Sequence, residues 1–340
     1  MSSVLADSWY ARELRLRTVN DELTRRCSRR LIARSALARG AALWWFGRRY
    51  KVVALIGSGT TFKMFMLLER ISCRRRRYIV LLEFIPVPKG SWARLARGRR
   101  FESRVRAAFQ EYVIKPALRG ALLRAHSLSD WERERNAAMF DVDAARFVFL
   151  PWPLVLEGDE LPLYGDRQIV LASGRSLCDW PTIFAAARGQ QWRLLIVCSG
   201  RDLKLVERLN TDGVADVRHD IPLHEHRDML KDAGVYLLAL EECSVSAGQI
   251  RVMDAVRGGT PLVASMVDGL RDYIFDGETA LTFTPRDAER ARRHVNALLD
   301  DRRLGERLRS AAFARARKWT REEYMRSIGD LITLAESEAR

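Results

Sequence analysis

The sequence lacks the features that mark disulfide-rich, zinc-binding and membrane-spanning proteins. Its five cysteines are scattered and never spaced as C-x-x-C, so we expect neither a disulfide framework nor a zinc site. No apolar run approaches the ~18–20 residues that a spanning helix needs, and residues 1–25 contain no apolar segment of the signal-peptide kind. We therefore expect a cytoplasmic protein, whose membrane contact, if it has one, is peripheral at the inner face.

Acidic residues are scarce in the first half of the chain. Residues 1–150 hold 31 Lys or Arg against 13 Asp or Glu, a formal charge of +18, whereas the rest holds 27 against 30, a charge of −3. This asymmetry predicts an anionic partner for the first half: a lipid headgroup surface, a phosphorylated acceptor or a nucleic acid. Nucleic acid ranks last, because the aromatic residues lie mostly inside apolar runs and not between the arginines.

Short apolar runs alternate with helical segments along most of the chain. This alternation predicts an α/β protein with two doubly wound, Rossmann-like domains, which also fits the length of 340 residues. We expect four parts: a basic N-terminal domain at 1–155, a linker at 156–167, a second domain at 168–318, and a C-terminal helix at 319–340 that could cross back to the first domain.

Residues 24–49 form a basic helical pattern that ends in Trp44, Trp45 and Phe46. A basic amphipathic helix tipped with aromatic residues is typical of an element that lies on an anionic membrane surface. The alternative is a helix that packs on its own domain and exposes its arginines. Both interpretations stay open.

Two predicted strand-to-helix loops of the second domain contain a glycine followed by an arginine. Gly174 and Arg175 follow the domain's first strand, and the sequence CSGRD places Arg201 after the next strand. A glycine lets a ligand approach the backbone, and an arginine can bind phosphate oxygens in a bidentate manner. Together with the next stretch, these loops indicate a nucleotide site.

That stretch is SAGQIRVMDAVRGGTPLVAS at 246–265, which predicts a helix beginning near Gly248 or Gln249. Small residues at a helix N-terminus suit a pyrophosphate, and Asp254, one to two turns later, could accept hydrogen bonds from ribose hydroxyls. The alternative is a packed helix that is capped by Ser246 and has Asp254 on a solvated face.

Residues 168–300 resemble the donor half of GT-B glycosyltransferases, and most of all glycosyltransferase family 4. The resemblance rests on Gly174-Arg175, on the blocks VRHDIPLHEHRDMLKDAGVYLLAL and MDAVRGGTPLVAS, and on DGLRDYIFDGETALTFTPRD at 268–287. It implies two domains facing across a cleft and a retaining transfer of sugar from a UDP- or GDP-type donor, without an essential metal. The nucleotide-sugar would be a co-substrate, and no cofactor is implied.

The resemblance also implies roles for individual residues. Arg175 contacts the diphosphate and stabilises it as it leaves, Asp254 takes the ribose-binding place, residues 246–249 lie against the phosphates, and 217–221 border the base. Two positions depart from the family pattern: Ser246 stands where the first acid is expected, and Asp179 where a lysine is common. Arg201 could supply that charge. A subset of related sequences with an Asp and a Gly-Gln pair would suit Asp179, Gly248 and Gln249.

The first half is less similar to the family. AHSLSD at 125–130 and FVFLPWP resemble later segments of the acceptor domain, but no opening strand is evident in residues 1–50, so we expect a shortened domain. Glu83 or His126 is the candidate catalytic base, and a buried structural role is the alternative for His126. A retaining front-face reaction does not strictly need a base, because the leaving phosphate can take the acceptor's proton.

The sequence thus predicts a hexosyltransferase-like enzyme with a glycan or lipid-linked acceptor near a membrane. The alternative is a non-catalytic protein of the same fold that binds a glycan or a partner, which the missing acid at Ser246 would suit. Asp141 and Asp143 form an acid-any-acid pattern typical of metal sites in another glycosyltransferase fold. They lie in a predicted turn before a strand, so we assign no metal to them.

Overall fold

The structure is a computed structural model of the chain. It describes residues 4–7, 10–23, 26–72, 78–86, 100–156, 160–163, 165–242 and 245–339. The chain divides into two compact units, Met1–Leu150 together with Glu322–Arg340, and Pro151–Arg321. The last helix therefore belongs to the first unit, although it follows the second in sequence.

The first unit is a parallel six-stranded sheet in the order β2-β1-β3-β4-β5-β6, flanked by helices. Its elements are β1 (Val4–Asp7), α1 (Tyr10–Glu13), β2 (Arg17–Thr18), α2 (Val19–Glu22), α3 (Arg26–Arg34), α4 (Ala36–Phe46), β3 (Val52–Ile56), α5 (Gly59–Ile71), β4 (Tyr78–Leu82), α6 (Arg100–Phe109), α7 (Lys115–Leu118), β5 (Leu122–Ser127), α8 (Glu132–Phe140) and β6 (Phe147–Phe149). A π-helical turn, Gln110–Ile114, joins α6 to α7. Residues 87–99, which precede α6, lie outside the described residues.

The opening strand that the sequence did not reveal is present. β1 pairs with β3 in register, and Leu5 and Ala6 are fully buried. The structure thus contains the strand that no pattern in residues 1–50 revealed, and among the described residues the first sheet has as many strands as the second. The strand escaped notice because the run VLAD has only four residues, too few to show a period.

The second unit is also a parallel six-stranded sheet, in the order β12-β11-β10-β7-β8-β9. Its elements are β7 (Asp166–Ser173), α9 (Trp180–Ala187), β8 (Arg193–Cys198), α10 (Gly200–Leu209), β9 (Ala215–His219), α11 (Leu223–Asp232), β10 (Ala233–Leu238), α12 (Gln249–Gly258), β11 (Leu262–Ser265), β12 (Leu281–Phe283), α13 (Ala288–Asp300) and α14 (Arg302–Ala316). The α/β prediction with two doubly wound sheets is confirmed.

The last helix, α15 (Arg321–Glu338), packs on the first sheet. Tyr324 and Ile328 join the cluster that contains Val4, Val52 and Val80 from β1, β3 and β4. These side chains are almost fully buried, so the end of the chain covers one face of the first sheet.

The basic segment at 24–49 forms two helices where one was expected. Ser35 ends α3 and caps α4 by accepting a hydrogen bond from the Ala38 amide at 3.2 Å. Trp44 packs against the core, whereas Trp45 is 55 % exposed and stacks with Arg48, whose guanidinium carbon lies 3.6 Å from the ring centre. Residues 24–25 lie outside the described part. None of the described helices is long and apolar enough to cross a bilayer.

Candidate active site

The second sheet changes winding direction between β7 and β10. From β7 the chain runs outward to β8 and β9, and it then returns to build β10, β11 and β12 on the other side. Ligands of open α/β sheets bind outside the carboxyl ends of the strands at such a point. The loops that follow β7 and β10 therefore define the candidate site.

These two loops are fastened to each other by the backbone. The Asp179 amide donates to the Ala239 carbonyl at 3.0 Å, and the Glu241 amide donates to the Leu177 carbonyl at 2.7 Å. A bridge between Cys178 and Leu240 lies between these bonds. The floor of the site is thus preorganised before any ligand arrives.

A pocket opens at the ends of β7, β8 and β9, and two arginines line it. Arg175 follows β7 and is exposed, whereas Arg251 comes from the first turn of α12 and has a side chain that is 22 % exposed. The other lining residues are Gly174, Val197, Cys198, Asp220, Ile221, Leu223 and His226. Two guanidinium groups around one opening are well suited to a diphosphate.

Arg251 was not singled out in the sequence. The sequence nevertheless contained a hint of an anion site. The first turn of α12 has no acidic residue, and Arg251 puts a cation at the positive end of the helix dipole. Such a cation is unfavourable unless an anion lies nearby. Asp254 provides one such anion, and a bound phosphate would provide a second.

Asp254, predicted as the ribose holder, forms two ion pairs within its own helix. Its Oδ2 accepts from Arg251 at 3.0 Å and its Oδ1 from Arg257 at 3.1 Å. Burial raises the pKa of Asp254, while Arg251, Arg257 and Arg227 lower it. The carboxyl group lines a separate cavity beside Arg257 and Pro162, and not the pocket of Arg175. Asp254 thus pairs with Arg251 without lining the pocket of Arg175, and its ribose-binding role stays a prediction.

His226 joins the pocket to a buried polar network. Its Nε2 lies 2.8 Å from the Ser173 hydroxyl, which lies 2.8 Å from the Tyr236 hydroxyl. Arg251 Nη1 lies 3.4 and 3.5 Å from the two ring nitrogens. Burial first, then Arg251, Arg257 and Arg175, lowers the pKa of His226 to about 3. The imidazole is therefore neutral near pH 7 and adds no cation to the pocket.

Residues 245–249 hold the start of α12 by close packing. Gly248 precedes the helix with φ +89°, and a β-carbon there would lie 2.7 Å from Leu240 Cδ1. Gln249 donates from Nε2 to the Gly269 carbonyl at 2.9 Å, so its side chain positions the loop. Ser246 is buried and packs against Gly269, whose added β-carbon would lie 2.9 Å from Ser246 Cα. These contacts fix the helix N-terminus, which offers its backbone amides to an anion.

The other two candidate donor-binding residues, Asp179 and Arg201, make local contacts. Asp179 caps α9, because its Oδ1 accepts from the Thr182 amide at 3.2 Å and its Oδ2 from the Thr182 hydroxyl at 2.6 Å. Arg201 is exposed on α10, where Asp220 Oδ2 accepts from the Gly200 amide at 3.0 Å. Asp220 thus occupies the anion-binding end of α10, and Arg201 does not line the pocket of Arg175.

Residues 217–221, expected to border the base, divide between the pocket and the core. Asp220 and Ile221 line the pocket, whereas Val217 packs against the hydrophobic core.

The two candidates in the first unit lie together at the ends of β4 and β5. The Glu83 amide donates to His126 Nδ1 at 3.2 Å, and His126 Nε2 lies 3.0 Å from the Leu150 carbonyl. His126 is fully buried, and burial lowers its pKa to about 4. Both ring nitrogens bond to backbone, which supports the structural alternative for this residue. Glu83, at φ +48°, accepts from the Tyr10 hydroxyl at 2.6 Å.

The acid pair at 141–143 serves the local fold. Asp141 ends α8 in the left-handed region and pairs with Arg119, and Asp143 accepts from the Ala145 amide at 2.9 Å. Within the described ranges, no group of three or more His, Cys, Asp or Glu residues is arranged to hold a metal ion.

Comparison with known proteins gives a family match within the second unit. Residues 177–301 match the family described as glycosyl transferases group 1. Comparison with curated proteins gives no significant match.

Solved structures share this fold over most of the chain. A glycosyltransferase from Rickettsia africae has a TM-score of 0.64 at 9% identity, covering 98% of this chain and 89% of that one. A sucrose-phosphate synthase from Thermosynechococcus elongatus has 0.65 at 17% identity, covering 88% and 78%. Anabaena HepE in complex with UDP-glucose has 0.63 at 12% identity, covering 87% and 82%. Residues 177–301 are therefore similar to the group 1 glycosyltransferases, and the fold is that of GT-B glycosyltransferase structures.

Proposed function

We propose that this chain transfers a sugar, with retention of configuration and without an essential metal, from a UDP- or GDP-type donor to a glycan or lipid-linked acceptor. One observation supports binding of the donor: Arg175 and Arg251 line the same pocket, at the switch point of the second sheet. Related structures contain UDP or UDP-glucose, which favours UDP over GDP as the first donor to test.

The proposed chemistry places the diphosphate between the two arginines. As the bond between the sugar's anomeric carbon and the phosphate oxygen breaks, negative charge accumulates on the leaving diphosphate. Arg175, Arg251 and the amides at the start of α12 would stabilise that charge, which is the task a divalent cation performs in metal-dependent enzymes. The acceptor oxygen bonds to the same carbon, and its proton passes to the departing phosphate.

Asp254 would act on the donor indirectly, through Arg251. Its bond to Arg251 fixes the guanidinium at the pocket, so we propose that Asp254 is a positioning residue. The neutral His226 would border the nucleotide and exchange hydrogen bonds with it, without repelling or neutralising the phosphates. The base would lie against Asp220 and Ile221.

The reaction itself can be followed by proton NMR. Wild-type protein is incubated with UDP-glucose, UDP-galactose, UDP-N-acetylglucosamine or GDP-mannose, and the anomeric signal of the released or transferred sugar is recorded. We expect slow consumption of one donor, an initial product with the donor's anomeric configuration, and the same rate in excess EDTA. An inverted product, or a rate abolished by EDTA and restored by Mn²⁺, would contradict the proposal.

A second candidate function is a non-catalytic binding module of the same fold. Ser246 favours it, because a serine replaces the acid that contacts the donor sugar in the resemblance. The same NMR experiment separates the two: binding of a nucleotide without turnover of any donor supports the module, and turnover excludes it.

A further inference from the structure

Two cavities of the first unit share one wall. The larger, of about 1170 Å³, lies at the carboxyl ends of β1 and β3, where the strand order β2-β1-β3 changes direction. The smaller, of about 350 Å³, lies beside Phe62 and Phe84. Ser58 and Gly59 line both cavities. The larger cavity thus occupies the position where open α/β sheets bind ligands, and the smaller one adjoins it.

More basic than acidic residues line the larger cavity. Its guanidinium groups come from Arg12, Arg15, Arg17 and Arg39, and its carboxylates from Asp7, Glu13 and Asp21. Asp21 is engaged locally, because its Oδ2 accepts from the Thr18 amide and hydroxyl, both at 2.8 Å. Asp7 faces Arg39, which lowers its pKa against the larger raising effect of burial. Arg12, Arg15 and Arg17 are exposed. Their guanidinium groups suit an anion with several oxygens, such as a phosphate.

The shared wall is the beginning of a 13-residue helix. Ser58 precedes α5 and makes no side-chain capping bond, and a β-carbon at Gly59 would meet nothing within 4 Å. The open N-terminus adds a partial positive charge to the arginines of the larger cavity.

The smaller cavity is apolar and rich in phenylalanine. Its lining includes Phe62, Phe84, Phe109, Phe140, Ile114 and Val105. Val105 is 51 % exposed and, with Phe101 at 82 %, continues the apolar surface outward along α6. Lys63 and Arg106 are the cations of the lining. A hydrocarbon chain fits this composition, whereas a sugar would leave its hydroxyls without partners.

We propose that the two cavities form one acceptor site for a phosphate-bearing lipid, with the phosphate among the arginines and the hydrocarbon chain in the phenylalanine pocket. The proposal rests on the proposed sugar transfer and names its acceptor class. Charge complementarity identifies the occupant, because the first 150 residues carry a formal charge of +18 and the basic cavity directly adjoins the apolar one. A free phosphate would leave the apolar pocket unused.

Calorimetric titration with alkyl phosphates tests this without any nucleotide. The series runs from butyl to dodecyl phosphate, below micelle-forming concentrations, beside the matching alkanols and inorganic phosphate. We expect affinity to rise about three- to fourfold per methylene until the pocket is full. Alkanols of equal length should bind at least about tenfold more weakly.

Matched variants assign the two parts of the ligand. Val105→Asp should abolish the dependence on chain length, whereas Phe101→Asp, on the same helix but outside the pocket lining, should preserve it. Arg12→Gln should weaken every alkyl phosphate about tenfold and leave the alkanols unchanged. Arg34→Gln, exposed and outside the lining, removes the same charge and should have little effect.

Several outcomes would overturn the proposal. Affinity independent of chain length, or equal losses in Val105→Asp and Phe101→Asp, would mean that another occupant fills the apolar pocket. Equal binding of alkyl phosphate and inorganic phosphate would indicate a site for free phosphate. UDP binding, measured on the same samples, is a separate readout: its absence contradicts the donor site, and a missing alkyl phosphate signal beside intact UDP binding contradicts the lipid site alone.

Discussion

The two units share an architecture but differ in net charge and in the arrangement of their ionic groups. Each is a parallel six-stranded sheet with a switch point, but the second unit is near neutral and pairs Arg251 at its pocket with Asp254. The first is strongly basic and lines a wide cavity with exposed arginines. A family match covers much of the second unit and none of the first. In the proposed function, the unit with the family match would bind the donor and the other unit the acceptor.

The largest expected effect is the loss of donor turnover in Arg251→Gln. Removing a guanidinium from the leaving diphosphate should lower kcat/KM about 100-fold, as loss of one charge-stabilising donor does in other enzymes. Arg257→Gln is the matched control, because Arg257 also pairs with Asp254 but does not line the pocket. Steady-state kinetics that show equal losses in both variants would reduce Arg251 to a structural role.

Alanine substitutions at two glycines compare how closely the backbone is packed at the two switch points. Gly248→Ala should destabilise the second unit by about 3 kcal/mol, because φ is +89° and the new β-carbon would press on Leu240. Gly59→Ala, at φ +78° in open space, should cost only about 1–2 kcal/mol of backbone strain. Thermal unfolding of the two variants measures the difference, and a larger loss in Gly59→Ala would refute the packing argument.

His126 in the first unit and His226 in the second are buried, and each should lower the free energy of unfolding at acid pH. The pKa of His126 falls to about 4 and that of His226 to about 3, from 6.5. Both are neutral when folded, so their contribution is full above about pH 6.5 and is lost as the pH falls. Each should cost about 2 kcal/mol at pH 5 relative to pH 7.

Unfolding of histidine variants at the two pH values checks that sign. His126→Gln and His226→Gln should each flatten the loss of stability between pH 7 and pH 5, whereas the exposed His224→Gln should leave it unchanged. An unaltered slope in both buried variants would show that other groups govern the acid response.

The smallest expected effect concerns the helix end at residues 44–46. If α4 contacts an anionic membrane, Trp45→Ala should weaken binding to anionic vesicles about fivefold with little loss of stability, because Trp45 is exposed. Trp44→Ala should mainly lower the unfolding temperature, because Trp44 packs against the core. Vesicle co-sedimentation that is the same for wild type and Trp45→Ala would leave this helix as a cover for its own domain.

The sequence was informative where chemistry and local pattern coincide. Gly174-Arg175 directly after a buried run is visible in sequence, and the structure places both residues at the pocket. Asp254 was correctly located on α12, but its two arginine partners lie three residues away on either side, and only the coordinates show that they occupy both carboxylate oxygens. A single-sequence pattern does not tell which cavity a helical side chain lines.

The first unit was harder to predict because its larger cavity is lined by segments that are distant in the sequence. Asp7, Arg12 and Arg39 come from β1, α1 and α4, and no sequence spacing connects them to Ser58. Likewise, the contact between the Glu83 amide and His126 joins two residues that are 43 positions apart, one after β4 and one in β5. Parallel pairing brings such groups together, and β1, which completes the site, is too short to be recognised.

The most direct test of the account is calorimetric titration of UDP and GDP into wild type, Arg175→Gln, Arg251→Gln and Arg257→Gln. We predict that one nucleotide binds wild type and Arg257→Gln with similar affinity and binds the other two variants at least about tenfold more weakly. The account is contradicted if no nucleoside diphosphate binds, or if Arg175→Gln and Arg251→Gln bind it as tightly as wild type.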